Sequence, residues 1–282
     1  MSSLLSSSVW LRIHQTRGLY AYLAEHNQTA THFMIGSNII QYPTEFLKAF
    51  GQGDDIAVHT WTHPYMTTLS NEVVVVELGW TVQVIHNSTG GRVPRFWRPP
   101  YGDSDMRTHA IAKEVSGLTT VVWNQDTNWS LSDSPPGTTA AKINASMTQW
   151  LTGPKSPGLI ILEHELSNQS VASFQAAYPM MLSTGWQVTS LAKLMGNGSS
   201  YQNSASDEGA VVPVGNILNA VNVTVPLASS SASAIITPTT SAAKQATPAQ
   251  ASASPSRVAL SMGPSVGLAT AVAAALFGML CA

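Results

Sequence analysis

Short apolar runs alternate with stretches of helical periodicity along roughly the first two thirds of the chain. Residues 19–26 read as an amphipathic helix, and 29–35 (Thr-Ala-Thr-His-Phe-Met-Ile) as a buried strand ended by Gly36-Ser37. Pro43 suits a first helical turn leading into 45–50, with Gly51 and Gly53 as stops. Ile56-Ala57-Val58 is a short buried strand. Ser70 can cap a helix predicted over 71–86, with Val73, Val76, Trp80 and Val84 as its apolar face. Next come a strand at Phe96-Trp97, a helix over 105–115 ended by Gly117, a strand over 119–123 and a helix over 138–151. A strand over 159–162, a helix over 171–182, a strand at Gln187-Val188 and a short helix to Met195 complete the series. Such alternation predicts a parallel sheet, open or closed into a βα barrel. The pattern opens on a helix, so a first strand is expected to be missing upstream.

Composition then divides the chain. Up to about Gly196 it is rich in Trp, Leu, Ile and Val; from Asn197 onward Ser, Ala, Thr and Pro dominate and Trp is absent. The net charge of −2 comes without a long basic run, which argues against nucleic-acid binding. Cys281, the single cysteine, excludes an intrachain disulfide. Asn-x-Ser/Thr sequons begin at Asn27, Asn87, Asn128, Asn144, Asn168, Asn197 and Asn222 and point to secretion. Yet residues 1–17 have no apolar core of a signal peptide. At the other end, small residues (Ala251-Ser252-Ala253-Ser254) precede a polar spacer and a terminal apolar run, 266–282. That order signals a glycolipid (GPI) anchor, with Ser252 the expected attachment point. The run is short for a spanning helix and no basic residues follow it. An exit signal without an entry signal makes the start of the protein expected upstream.

The candidate chemistry lies after the strands. His59-Thr60-Trp61-Thr62-His63-Pro64 follows the Ile56 strand, and two imidazoles four residues apart can reach one divalent ion. Alone, this spacing is better read as two surface or capping histidines. Three more polar loops follow successive strands: Arg98-Pro99-Pro100-Tyr101-Gly102-Asp103, Asn124-Gln125-Asp126-Thr127-Asn128-Trp129, and Glu163-His164-Glu165. All fall at the strands' carboxyl ends, where α/β folds place their chemistry.

On these motifs, with Tyr65-Met66-Thr67-Thr68-Leu69-Ser70 and Leu162-Glu163-His164-Glu165-Leu166, the chain over 19–195 resembles the polysaccharide deacetylases of the NodB-homology type (carbohydrate esterase family four), most of all the fungal chitin deacetylases. The resemblance implies a distorted (β/α) barrel lacking its first strand. It implies metal-dependent removal of N-acetyl groups from chitin, giving chitosan and acetate during cell-wall remodelling. His59 and His63 would bind zinc or cobalt, Tyr101 would give its backbone N–H to the developing oxyanion, and His164 would be the general acid. Arg98 would orient and tune the base, and Asp126 is a further catalytic candidate; Trp129, Leu162 and Pro100 would wall the acetyl pocket. The family's first motif, adjacent aspartates serving as base and third ligand, has no counterpart, for 1–18 contains no Asp or Glu. Asp54-Asp55 cannot substitute: at about 3.3 Å per strand residue they lie roughly 10 Å or more from the site, at the opposite strand end. The fourth motif is also one aspartate short, which leaves the partner of Arg98 in question. His32 is expected to be structural.

The expected organisation is a non-homologous start (1–18), a deacetylase domain (19–196), a disordered Ser/Thr/Pro/Ala-rich stalk (197–254) and an anchor signal (255–282). The expected molecule is a monomer held by its lipid at the outer face of the plasma membrane or cell wall. It binds chitin or N-acetylglucosamine oligomers and is impaired as an enzyme by the missing aspartates. A degenerate, non-catalytic chitin-binding wall protein is the alternative. Asn27, Asn87, Asn144, Asn168 and Asn222 are the glycosylation candidates.

Overall fold

The computed structural model describes residues 2–9, 13–128, 138–165, 168–195 and 198–217, with backbone alone for 2–9 and 13–15. All lie in the first of two contact units, Met1–Val223. Strands β1 (Ser2–Val9), β2 (Thr31–Met34), β3 (Asp55–Val58), β4 (Phe96–Trp97), β5 (Thr119–Thr120), β6 (Gln125–Asp126), β7 (Ile160–His164) and β8 (Gln187–Thr189) form one parallel sheet. Its order is β5-β4-β3-β2-β1-β7-β6, with β8 paired to β1. Helices α1 (Ile13–Glu25), α2 (Gly36–Gln41), α3 (Pro43–Gly51), α4 (Asn71–Ser88), α5 (Met106–Ser116), α6 (Ala140–Thr152), α7 (Asn168–Ser183) and α8 (Leu191–Leu194) connect them. Among the described residues β5 and β6 at the two ends of the sheet are not paired, so the hydrogen-bonded ring of a barrel is not closed there.

Local chemistry sets the helix limits. Pro43 opens α3, Ser70 accepts the Val73 amide at the start of α4, and Asp105 and Thr108 form a reciprocal capping box on α5. Gly117 then stops α5 at φ 66°, a left-handed turn that glycine enters without steric cost. Strand alternation divides the core. Phe33, Ala57, Phe96, Val121 and Leu191 pack on one side of the sheet; Met34, Ile56, Val58 and Trp97 join the larger core with the helices.

Three expectations are corrected. The first strand is not missing from the fold: β1 is the most extensively paired strand in the sheet, with β7 on one edge and β2 and β8 on the other. Its sequence, Ser-Ser-Leu-Leu-Ser-Ser-Ser-Val, lacks the β-branched and aromatic residues that mark strands, which hid it. Secondly, α4 is turned by about one residue from the expected face. It buries Val74, Leu78, Val82 and Ile85, while Val73, Val76 and Trp80 are 42%, 40% and 56% exposed. Four consecutive valines serve either face equally; burial of Glu77 on the same stripe, described below, decides between them. Thirdly, the boundary at 196/197 falls too early. Tyr201 is fully buried and bridges Pro94 in antiparallel fashion, and the Arg95 and Gln202 amides donate to Ser200 O and Val93 O at 2.8 Å. Residues 198–217 are therefore a strap on the domain rather than stalk.

Smaller differences follow the same physics. The stop at Gly36-Ser37 begins α2, the strand expected over 119–123 is shortened to β5, and β6 forms within the loop that follows it. Among the described residues no helix is long and apolar enough to cross a membrane. Asn222, Ser252 and the apolar run 266–282 lie outside the described residues.

Candidate active site

Strand β3 is buried throughout and delivers His59 at its carboxyl end, where the His59 amide donates to Met34 O at 2.9 Å. The loop beyond is tightly wound. Thr60 and His63 adopt φ of 64° and 63°, sparsely populated for non-glycine residues and most costly for a β-branched one. Several bonds hold that conformation. The His63 amide donates to Thr60 Oγ1, and the Gly36 and Ser37 amides at the start of α2 donate to Thr60 O and Trp61 O. Glu77, reaching in from α4, accepts the amides of Trp61 and Thr62 and the Thr62 hydroxyl.

The outcome is a convergent pair. His59 Nε2 and His63 Nε2 face one another at 3.1 Å. His59 Nδ1 lies 2.9 Å from the Arg98 carbonyl, which can only accept, so that nitrogen carries the proton and Nε2 offers a lone pair. Burial pulls both imidazoles down, His59 well below the ordinary histidine range and His63 to about 4; repulsion from His63 adds to the first and from His164 to the second. Both are neutral at neutral pH, the form that binds metals.

A tetrahedral ion with Zn–N bonds of about 2.0–2.1 Å separates two ligand nitrogens by about 3.3 Å, so the pair fits two positions on a divalent ion. Among the described residues no group of three or more His, Cys, Asp or Glu side chains is placed to hold one. The backbone of β1 ends beside this pair: Val9 is in register with Met34 and Ser8 with His164. The positions at that strand end are Ser7, Ser8 and Val9, and β1 carries no carboxylate.

The other predicted residues gather nearby. Arg98 is fully buried, with its guanidinium over the Phe33 ring (4.1 Å) and near Trp123 (5.4 Å), and Nε donates to Val121 O. Burial lowers its pKa to about 9, and the charge of Asp126 opposes the fall. Asp126 is itself raised by burial and accepts the Asn128 amide at 2.7 Å. Pro100 is buried, and Tyr101 follows it at φ 58°, left-handed like Thr60 and His63. Leu162 is buried on β7, where its carbonyl accepts from the Thr127 hydroxyl. His164 ends that strand; burial and then the Arg98 charge lower it to about 4, and its Nδ1 is buried with no hydrogen-bond partner among the described residues. Trp129 lies outside the described residues.

Asp54 and Asp55 do lie at the far strand end. Asp54 bonds the Ala30 amide and His32; Asp55 bonds Thr31 and the Ala192 amide. His32 is structural in a specific way: its ring bridges Asp54 Oδ2 (3.1 Å) and Glu165 Oε1 (3.0 Å) in the core. Burial alone would lower it, but Asp54 and then Glu165 lift it to about 10. Glu165 adjoins His164, so this bridge fixes the end of β7. Sequence reasoning missed it, as it missed Glu77 and the bonds from the Thr67 amide and hydroxyl to Asp103. The one available signal was the presence of charged residues within otherwise buried stretches. Glu163 was also passed over; burial, then the charge of Asp126, raise it to about 8. Among the sequons, Asn27, Asn87, Asn128 and Asn144 are exposed, and the side chain of Asn168 is not described.

The sequence pattern of the family described as polysaccharide deacetylase matches residues 14–121. Over 211 residues the chain is 46% identical to chitin deacetylase 3 of Cryptococcus neoformans var. neoformans, covering 74% of this chain and 51% of that relative. The chain carries a polysaccharide deacetylase domain. It spans about half the length of that curated relative. The deacetylase fold also matches a peptidoglycan deacetylase of Bacillus subtilis with a TM-score of 0.59 at 19% identity, covering 69% of this chain and 90% of that one. A family-four carbohydrate esterase described as a pseudoenzyme, from Bacillus anthracis, matches with a TM-score of 0.60 at 20% identity, covering 69% and 65%. The deacetylase fold thus occurs in a named enzyme and in a named pseudoenzyme.

Proposed function

We propose that this chain is a chitin deacetylase, a hydrolase of the N-acetyl amide of chitin, weakened by the residues of β1. The observation that carries the reading is the 3.1 Å approach of the His59 and His63 nitrogens beside Tyr101, Arg98 and His164. Kinship with fungal chitin deacetylases supports the substrate class.

In this reading His59 and His63 hold a zinc or cobalt ion, which when bound polarises the acetyl carbonyl and makes its water nucleophilic. Tyr101, held in a left-handed turn, offers its backbone N–H to the oxygen that gains charge. Leu162 and Pro100 wall the acetyl methyl group, with Trp129 completing the pocket. His164 delivers the proton to the departing amine; held neutral by burial, and with no carboxylate on Nδ1 among the described residues, it is poorly charged for that task. Buried Arg98, with the half-buried Asp126 carboxylate acting on it electrostatically, would tune a base. Ser7, Ser8 and Val9 supply none, so turnover is slow.

The lack of a carboxylate on β1 favours a second reading, a non-catalytic chitin-binding protein. Incubating the full chain and His59→Ala with zinc or cobalt and the N-acetylglucosamine pentamer separates them. Binding with trace acetate release that His59→Ala abolishes supports the weakened enzyme, and binding without release the second reading. Fast metal-dependent release would overturn the weakness, and absence of binding the substrate class.

The exposed sequons Asn27, Asn87 and Asn144 are compatible with secretion. The order of small residues, spacer and apolar tail after Ala251 supports a GPI anchor at Ser252, placing the protein on the outer membrane face or wall. Release by phosphatidylinositol-specific phospholipase C, after expression behind a working leader, checks this.

A further inference from the structure

Beside the histidine pair stands an aromatic stack that the proposed chemistry does not use. The ring of Tyr101 lies edge-on to His63, with centroids 4.7 Å apart. Tyr65 lies flat on Tyr101, with centroids at 4.1 Å and planes 16° apart. Tyr65 is 55% exposed and Tyr101 38%. Two large rings left in water gain little from burial there, yet the fold holds them in register. The Thr67 amide and hydroxyl donate to the carboxylate of Asp103, joining the loop of Tyr65 to the turn of Tyr101 at 2.8 and 2.9 Å. Arg107 braces the same loop by donating to Thr67 O and Asn71 Oδ1. The Thr68 hydroxyl closes onto Tyr65 O at 2.7 Å.

We propose that Tyr65 is a stacking platform for a sugar ring next to the one being deacetylated, binding the apolar face of a β-linked N-acetylhexosamine. Rigid amphipathic rings with few rotatable bonds suit such a role, because little side-chain entropy is lost on contact. A β-linked pyranose with equatorial substituents presents a flat face of C–H groups, which matches the π face of an exposed tyrosine. The stack runs outward from His63, so a chain whose acetyl group sits by the histidines would pass its neighbouring ring over Tyr65. No charged group is needed, in keeping with a neutral polymer. This deepens the proposed substrate reading and rests on it.

The test is calorimetric binding of the N-acetylglucosamine pentamer to the full chain and to Tyr65→Ala, Tyr65→Phe, Tyr65→Trp and Trp80→Ala, each checked for an unchanged melting profile. Loss of one stacking contact is expected to weaken Tyr65→Ala roughly threefold to tenfold. Tyr65→Phe and Tyr65→Trp should bind within about twofold of the parent, and so should Trp80→Ala, whose ring lies outside the stack. Parent-like binding by Tyr65→Ala would overturn the platform alone. Loss in Tyr65→Phe equal to that in Tyr65→Ala would also overturn it, showing a hydroxyl contact instead. No binding by the parent chain would overturn the substrate reading and the platform with it.

Discussion

Glu77 grips Thr62 at two points, taking its amide on Oε2 at 2.8 Å and its hydroxyl on Oε1 at 2.6 Å. This contact from a helix to a loop holds the backbone between His59 and His63 in its left-handed conformation. Glu77→Ala should leave two amides without acceptors, costing about 1–3 kcal/mol of stability for an unsatisfied buried group. It should also weaken zinc binding by roughly 10–100-fold, the usual loss when a group supporting metal ligands is removed. Urea unfolding and competition with a chromogenic chelator measure the two effects, and zinc affinity unchanged from the parent would show that the loop holds itself.

Carboxylates placed at the carboxyl end of β1 should repair the site. Ser8 and Val9 are in register with His164 and Met34, the latter accepting the His59 amide. Ser8→Asp with Val9→Asp should raise acetate release from the N-acetylglucosamine pentamer by about 10²–10⁴-fold, the typical contribution of a general base. In that background His59→Ala should lose both metal and activity. His164→Ala should lose activity and keep metal, as metal analysis of the purified proteins would reveal.

The strand–helix alternation and the histidine loop were legible in the sequence because apolar runs and polar loops alternate sharply there. Strand β1 was not, since its pairing is imposed by neighbours on both edges and not by its own serines. Helix α4 was legible in extent but not in orientation: Val73 and Val74 are chemically equal, and the choice lies with Glu77 and a loop sixteen residues upstream. Accordingly Leu78→Ala should cost about 2–5 kcal/mol as a core truncation, whereas Trp80→Ala should change stability by less than about 1 kcal/mol. Denaturant midpoints would reverse that order if the valine–tryptophan face were the buried one.

The bridge of His32 between Asp54 and Glu165 predicts a pH dependence. The folded protein holds the imidazole proton up to about pH 10, against about 6.5 when unfolded. The raised pKa makes its contribution to stability complete below about pH 6.5, and lost as pH rises through about 10. His32→Gln should therefore melt well below the parent at pH 7, with the gap closing as both approach pH 10. A gap constant from pH 7 to 10 would mean that His32 is held neutral.

The strap over 198–217 has a mechanical consequence. A pull on the chain from its carboxyl side reaches Asn203 and Tyr201 before it reaches β8. There it meets Asn203 Oδ1 on the Val93 amide, the Gln202 side chain on Pro94 O and Ser116 O, and Arg95 on Tyr201 O. These anchors sit at the amino ends of the strands, opposite the end from which His59 emerges. The strap thus acts as a cable clamp, taking up tension at one pole of the domain and leaving the histidine loop at the other slack.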